Sequence, residues 1–192
     1  IELQHDYLSF PARSLMPLFK DLQAGDSQTE QARQMLLDWN FVLDKNSVTA
    51  GIYVAFERRL LDNIEILKVP ESAQPYLGVG MKTTIDMLLA PDGDFGADPL
   101  AGRNEFLLRS LTEGIADLRE KLGPNMQNWV YGQADYKHVL IRHPLSAAVN
   151  ESTRAQLDVG PLPRGGNSFT LGNTGSGDNQ TSGASFRILI DT

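Results

Sequence analysis

Between Arg103 and Leu122 an apolar residue returns every third or fourth position: Leu107, Leu111, Ile115, Leu118 and Leu122. That spacing lays one apolar stripe along a helix, and Gly123-Pro124 then supplies the stop. A stripe of this length cannot stay wet, so the chain must build a core in which helices cover one another.

Other segments offer the partners. Pro11 to Leu22 carries Leu15, Leu18, Phe19 and Leu22 at helical spacing, with Pro17 as a kink or a late start. Ser27 with Glu30 has the form of a capping box, and Ala32, Met35, Leu36 and Trp39 follow as a stripe. Ser47 is placed to cap a third helix whose face is Val48, Ile52, Ala55, Phe56 and Leu60. A fourth runs through Met81, Ile85, Leu88 and Leu89 before Pro91. Five amphipathic helices are expected.

After Trp129 the pattern changes. Tyr136 to Arg142 is rich in β-favouring residues and precedes Pro144, so it reads as a strand. From Gly165 to Gly183, six of nineteen residues are Gly, separated mainly by Asn, Ser and Thr, which describes a turn-rich loop. Phe186, Ile188 and Ile190 then alternate with Ser185, Arg187 and Asp191, while Leu189 breaks the alternation, as in a strand buried near its centre. The expected class is α+β, with a mainly helical block over 1–128 and a strand-containing part over 129–192 that includes the Gly-rich loop 165–183. Together they form one fragment of a larger domain. The opening at Ile1 without Met, and the stop at Thr192 just after a strand-like run, lead to the expectation of an internal segment of a longer protein.

A formal net charge of −7 leaves no basic footprint for a phosphate backbone, so nucleic acid is not expected as a partner. No apolar run approaches the roughly 18–20 residues of a membrane helix. With no cysteine, disulfides, thiolate metal sites and a Cys nucleophile are excluded. Asn150-Glu151-Ser152 and Asn179-Gln180-Thr181 match the glycosylation sequon, a pattern short enough to arise by chance.

Few residues suggest chemistry on their own. A Ser/His/Asp triad would need His5, His138 or His143 beside a serine, but no Gly-x-Ser-x-Gly elbow occurs; Gly175-Ser176-Gly177 lacks the spacing. On one strand, His138 and His143 would point to opposite faces, which argues against shared metal ligation. Asp92-Gly93-Asp94 with Asp98 looks like half of a calcium loop without its bidentate Glu, and such pairs more often make turns. Arg142-His143-Pro144-Leu145 and Arg164-Gly165-Gly166 read first as structural, with Gly-Gly permitting a positive-φ turn.

These phrases also fall in a family order. Leu8-Ser9-Phe10-Pro11-Ala12-Arg13, Leu36-Leu37-Asp38-Trp39, Leu122-Gly123-Pro124 with Trp129, Arg142-His143-Pro144-Leu145, Gly160-Pro161-Leu162-Pro163-Arg164-Gly165-Gly166, and Ser182 to Asp191 succeed one another over nearly the whole chain. In that order they resemble the catalytic β chain of the penicillin acylases, a family of N-terminal-nucleophile (Ntn) hydrolases. Two departures stand out: many members carry Asp-Gly after the tryptophan, where this chain has Asn40-Phe41, and the family's late Pro-Gly-Gln-Ser-Gly-like segment is missing.

The resemblance implies a parent with the four-layer αββα architecture, cut from one precursor into an α and a β chain and located in the periplasm or secreted. It implies an N-terminal Ser whose hydroxyl attacks an amide carbonyl while its own α-amine serves as base. An Asn and backbone N–H groups would hold the oxyanion, and water would release the acyl group. The implied substrates are N-acyl amides: penicillins, cephalosporins or acyl-homoserine lactones.

By the same resemblance the nucleophile, the oxyanion Asn and most ligands of a possible parental calcium lie upstream. No residue of this chain is therefore assigned a catalytic, cofactor-binding or metal-ligating role, and the chain alone is expected to be inactive. The expected partners are the remaining segments of the precursor and the small amide substrate, with self-association of the isolated segment through uncovered strand edges. The alternative reading is a non-catalytic helical interaction module.

Overall fold

The computed structural model describes residues 6–184, so His5 and the strand expected over 185–191 lie outside the described residues. The class is α+β: six α-helices and one two-stranded antiparallel sheet among the described residues. None of these helices is long and apolar enough to cross a membrane. The chain divides into two compact units, one formed by Phe10–Asn40 and Ile52–Trp129, the other by the described residues 6–9, 41–51 and 130–184.

The first unit is helical. Helix α1 spans Phe10–Leu15 and passes at Pro17 into a 3-10 turn over Met16–Phe19, so the proline marks a tightened turn and not one continuous helix. Helix α2 spans Ser27–Leu37, and here the expected cap is corrected. Asp26, not Ser27, is the N-cap, its carboxylate accepting from the Gln28 and Thr29 N–H groups. Glu30 reaches back as a capping-box residue does, but to the Ala24 N–H at 3.0 Å.

The Glu30 carboxylate also holds Arg33, with Nη2 at 2.6 Å, while Arg33 Nη1 donates to the Phe19 carbonyl at 2.7 Å. The buried Arg33 guanidinium thus ties α2 to the preceding 3-10 turn. Hydrogen bonds from Arg33, Ala24 and Gln34 together push the Glu30 carboxyl far below the ordinary range.

Helix α3 spans Val48–Lys68, with Ser47 Oγ accepting from the Ala50 N–H as its residue type suggested. Helix α4 covers Met81–Leu89. Helix α5 runs over Pro99–Leu122 and begins four residues earlier than its stripe indicated, because Asp98 caps the Ala101 N–H and Pro99 takes the first turn. Leu107, Leu111, Ile115 and Leu118 are buried as the periodicity required.

Gly114 on α5 faces the α3 backbone so closely that a Cβ would lie 2.8 Å from Ala55 C and Phe56 N. Along the same antiparallel seam, Arg59 pairs with Asp117, and Asn63 Nδ2 donates to Ser110 Oγ and Glu113 Oε2. Phe19 meets Phe56 edge-on at 5.3 Å, and Trp39 lies against Tyr53 at the same distance.

Phe41, in the second unit, sits at φ 64, the left-handed conformation that glycine adopts without strain. Its carbonyl accepts from the Ser9 N–H at 2.9 Å, and Leu43 N–H donates to Tyr7 O at 2.9 Å.

Strand β1 is His138–Ile141, inside the segment expected to be extended. Its partner β2, Val159–Pro163, was not foreseen, since two prolines in five residues argue against a strand. A two-stranded ribbon tolerates them because each strand is also an edge. The register joins His138 to Pro163 and Val139 to Leu162, then shifts so that Ile141 meets Val159. Gly160, at φ 111, lies at the irregularity; a Cβ there would sit 2.4 Å from the Val139 carbonyl oxygen. Helix α6, Glu151–Leu157, is a further short element without an apolar stripe to announce it.

Candidate functional site

Two polar constellations of the second unit hold the residues singled out from the sequence. The first is built around Lys137, which precedes β1 and is fully buried. Its ammonium donates to the carbonyls of Thr174 at 2.9 Å, Gly175 at 3.0 Å and Gly177 at 3.1 Å. Three carbonyl dipoles converging on one cation order a stretch that has little side-chain mass of its own. As expected, residues 165–183 form a loop, with a single bridge joining Asn179 to His138.

The glycine pair of Arg164-Gly165-Gly166 does two jobs. Gly166 takes φ 72, the turn foreseen for it, whereas Gly165 is required by contact, since a Cβ would lie 2.6 Å from Leu43 O and 2.9 Å from the Tyr7 ring. Tyr131 Oη donates to Gly166 O at 2.9 Å, and Tyr136 Oη to Gly51 O at 2.9 Å. Arg164 donates through Nε to Gln180 Oε1 at 3.1 Å.

The second constellation surrounds Arg142-His143-Pro144-Leu145. Strand β1 ends at Ile141, so His143 lies beyond it, and the expectation that His138 and His143 occupy opposite faces of one strand is corrected. Asp158 Oδ1 accepts from the His143 N–H at 2.9 Å and from Ser146 Oγ. His143 Nδ1 accepts from the Leu145 N–H at 3.1 Å. Arg154, on α6, donates through Nε to the Ser146 carbonyl at 2.8 Å. The hydrogen bonds from Ser146 and the His143 N–H, with Arg142 and Arg154 nearby, hold the Asp158 carboxyl below the usual range.

Ser, His and Asp do meet here, but not as a nucleophile and its base. The Ser146 hydroxyl donates to the carboxylate, and Asp158 touches the backbone of His143 instead of its ring. A charge-relay order requires the imidazole between the other two, so this arrangement fastens a turn and does not activate a serine. His138 Nδ1 lies 3.2 Å from the Tyr136 carbonyl.

The remaining candidates are also engaged locally. Asp92 caps the Asp94 N–H, Asp94 pairs with Lys68, and Asp98 caps α5. Among the described residues no group of three or more His, Asp or Glu side chains could hold a metal ion. Asn150 caps the Thr153 N–H at 2.9 Å, and Asn179 Oδ1 accepts from the Leu140 N–H at 3.0 Å, so both sequon asparagines serve as acceptors.

Sequence reasoning passed over Lys137, Ser146, Arg154 and Asp158. Their partners stand 8 to 40 positions away, and no spacing rule ties a lone Lys to the carbonyls it meets.

No individual curated protein matches the chain. The sequence model of the penicillin amidase family, in contrast, matches residues 1–192, the full length given. The chain belongs to the penicillin amidase family, whose members are amidase-like hydrolases.

Proposed function

We propose that this chain is a segment of the catalytic β chain of an acylase that hydrolyses the amide bond of N-acyl substrates, with an N-terminal Ser nucleophile contributed from outside these residues. The observation that carries the reading is the full-length match to the penicillin amidase family. The disposition of Ser146 supports it: the serine that meets both a His segment and an Asp is bound to the carboxylate, with no imidazole between them.

On this reading the chain supplies scaffold to a parent of αββα architecture that is periplasmic or secreted. Its partners are the α chain and the rest of the β chain, and any calcium is held elsewhere in that parent. Penicillins, cephalosporins and acyl-homoserine lactones are the substrate classes. Exposed apolar side chains on the ribbon, Ile141, Val159 and Leu162, support contact with further segments of the precursor, and with a second copy when the segment is isolated.

The test is hydrolysis of a chromogenic phenylacetyl amide and of a long-chain acyl-homoserine lactone, measured on this chain and on the longer precursor. Turnover by the precursor alone is the expected result. Turnover by this chain overturns the placement of the nucleophile. Silence of both proteins on both substrates removes the acylase reading and favours a non-catalytic interaction module.

A further inference from the structure

The turn after β1 borders an open surface groove of about 650 Å³, lined by the exposed Arg142, His143 and Arg154 on its polar side and by the half-buried Leu140 and the exposed Pro144 and Ala147 on its apolar side, with Ser146 and Asp158 at its floor. This volume lies within the range of about 300–1,000 Å³ common to small-molecule sites.

Its charge is unbalanced in favour of an anion. Asp158 is the single carboxylate of the lining, and its Oδ1 is already committed to the His143 N–H and the Ser146 hydroxyl. Arg154 is oriented by neutral groups, with Nε on Ser146 O at 2.8 Å and Nη2 on Val149 O at 3.4 Å, so its charge meets no carboxylate in an ion pair. Arg142 makes no side-chain hydrogen bond or ion pair with the described residues, and it lines the groove directly. Two guanidinium groups thus face one carboxylate in a chain whose overall charge is −7. Because His143 Nδ1 accepts from the Leu145 N–H, the neutral ring carries its proton on Nε2 and adds a donor.

We propose that this groove binds a small carboxylate with a short aliphatic body, the carboxylate on Arg142 with Arg154 and His143 beside it, and the body against Leu140, Pro144 and Ala147. An arginine fork matches the planar carboxylate in a way that a point charge does not. The apolar wall is what distinguishes this ligand class from an inorganic oxyanion. The assignment is independent of the acylase chemistry proposed above.

Calorimetric titration of the 192-residue chain with butyrate, acetate and inorganic phosphate, at fixed ionic strength, tests it. Saturable binding of butyrate is expected, several-fold tighter than acetate because each additional buried methylene contributes up to about 0.8 kcal/mol. Arg142→Gln, which breaks no hydrogen bond or ion pair within the protein, weakens butyrate binding by about tenfold or more. Lys20→Gln, the same charge change at an exposed position of the other unit, leaves it unchanged.

Circular dichroism checks that both variants are folded. No saturable butyrate binding by the parent chain, or equal effects of the two substitutions, overturns the site. Phosphate bound more tightly than butyrate overturns the ligand class.

Discussion

Replacing Lys137 by Met is the most direct probe of how the glycine-rich loop is held. Met keeps most of the apolar stem and removes the ammonium, so packing is largely preserved while the carbonyls of Thr174, Gly175 and Gly177 lose their shared donor. Hydrogen bonds to a charged group contribute about 1.5–3 kcal/mol each, but burying the ammonium costs several kcal/mol that the Met variant does not incur. The net is closer to about 1 kcal/mol for each carbonyl left without its donor, or about 3 kcal/mol in total. At about 1.4 kcal/mol per decade, the loop's opening equilibrium rises by about two orders of magnitude.

Amide hydrogen exchange over residues 170–180 reads this directly, because fast local opening reports its own equilibrium. Expected reporters are the Asn173 and Thr174 amides, which donate to Thr170 O and Asn167 O in the folded loop. Lys137→Arg should not restore protection, since the larger planar guanidinium does not fit a position in which one nitrogen faces three oxygens. Exchange in Lys137→Met equal to that of the parent chain, with no loss of stability to urea, would refute the argument that one buried cation orders this loop.

Gly114→Ala tests the helical seam. In a helix interior the change ordinarily stabilises by about 1 kcal/mol, yet here the new methyl would sit 2.8 Å from α3 backbone atoms, so a net loss of about 1–3 kcal/mol is expected in urea unfolding followed by circular dichroism. A more stable variant would show that α3 and α5 can separate freely. The pH dependence follows from Glu30, Asp26 and Asp158, whose carboxyls are all held below their ordinary values. Depressed folded-state values contribute stability that is present above about pH 4 and is lost as pH falls further through the folded-state values. Glu30→Gln should flatten that acid limb in denaturation curves recorded from pH 6 to pH 2, and an unchanged limb would remove Glu30 from the account.

The class and the helical positions were legible because both rest on local periodicity. The stripe from Leu107 to Leu118 is buried as read, and so are Ala32 and Leu36 of α2 and Ile52, Phe56 and Leu60 of α3. Helix ends were read less well where a nearer cap competed. Asp26 displaced Ser27 because its extended backbone leaves a carboxylate free to meet two amides, and Asp98-Pro99 started α5 a turn before the expected start at Arg103. Strand β2 was hidden because its prolines obey a rule about sheet interiors, whereas this ribbon has only edges.

By itself the sequence determined where the chain is helical, where glycine breaks it, and, through the collinear order of its phrases, the family to which it belongs. Each of these depends on residues close in the chain or on order alone. The tertiary structure alone decided that Lys137 serves the glycine loop, that Asp158 takes the hydroxyl of Ser146, and that Arg142 is left facing a groove. Such pairings are set by how turns bring distant backbone into contact. A hydrogen bond acts over about 3 Å of space and carries no fixed separation in sequence.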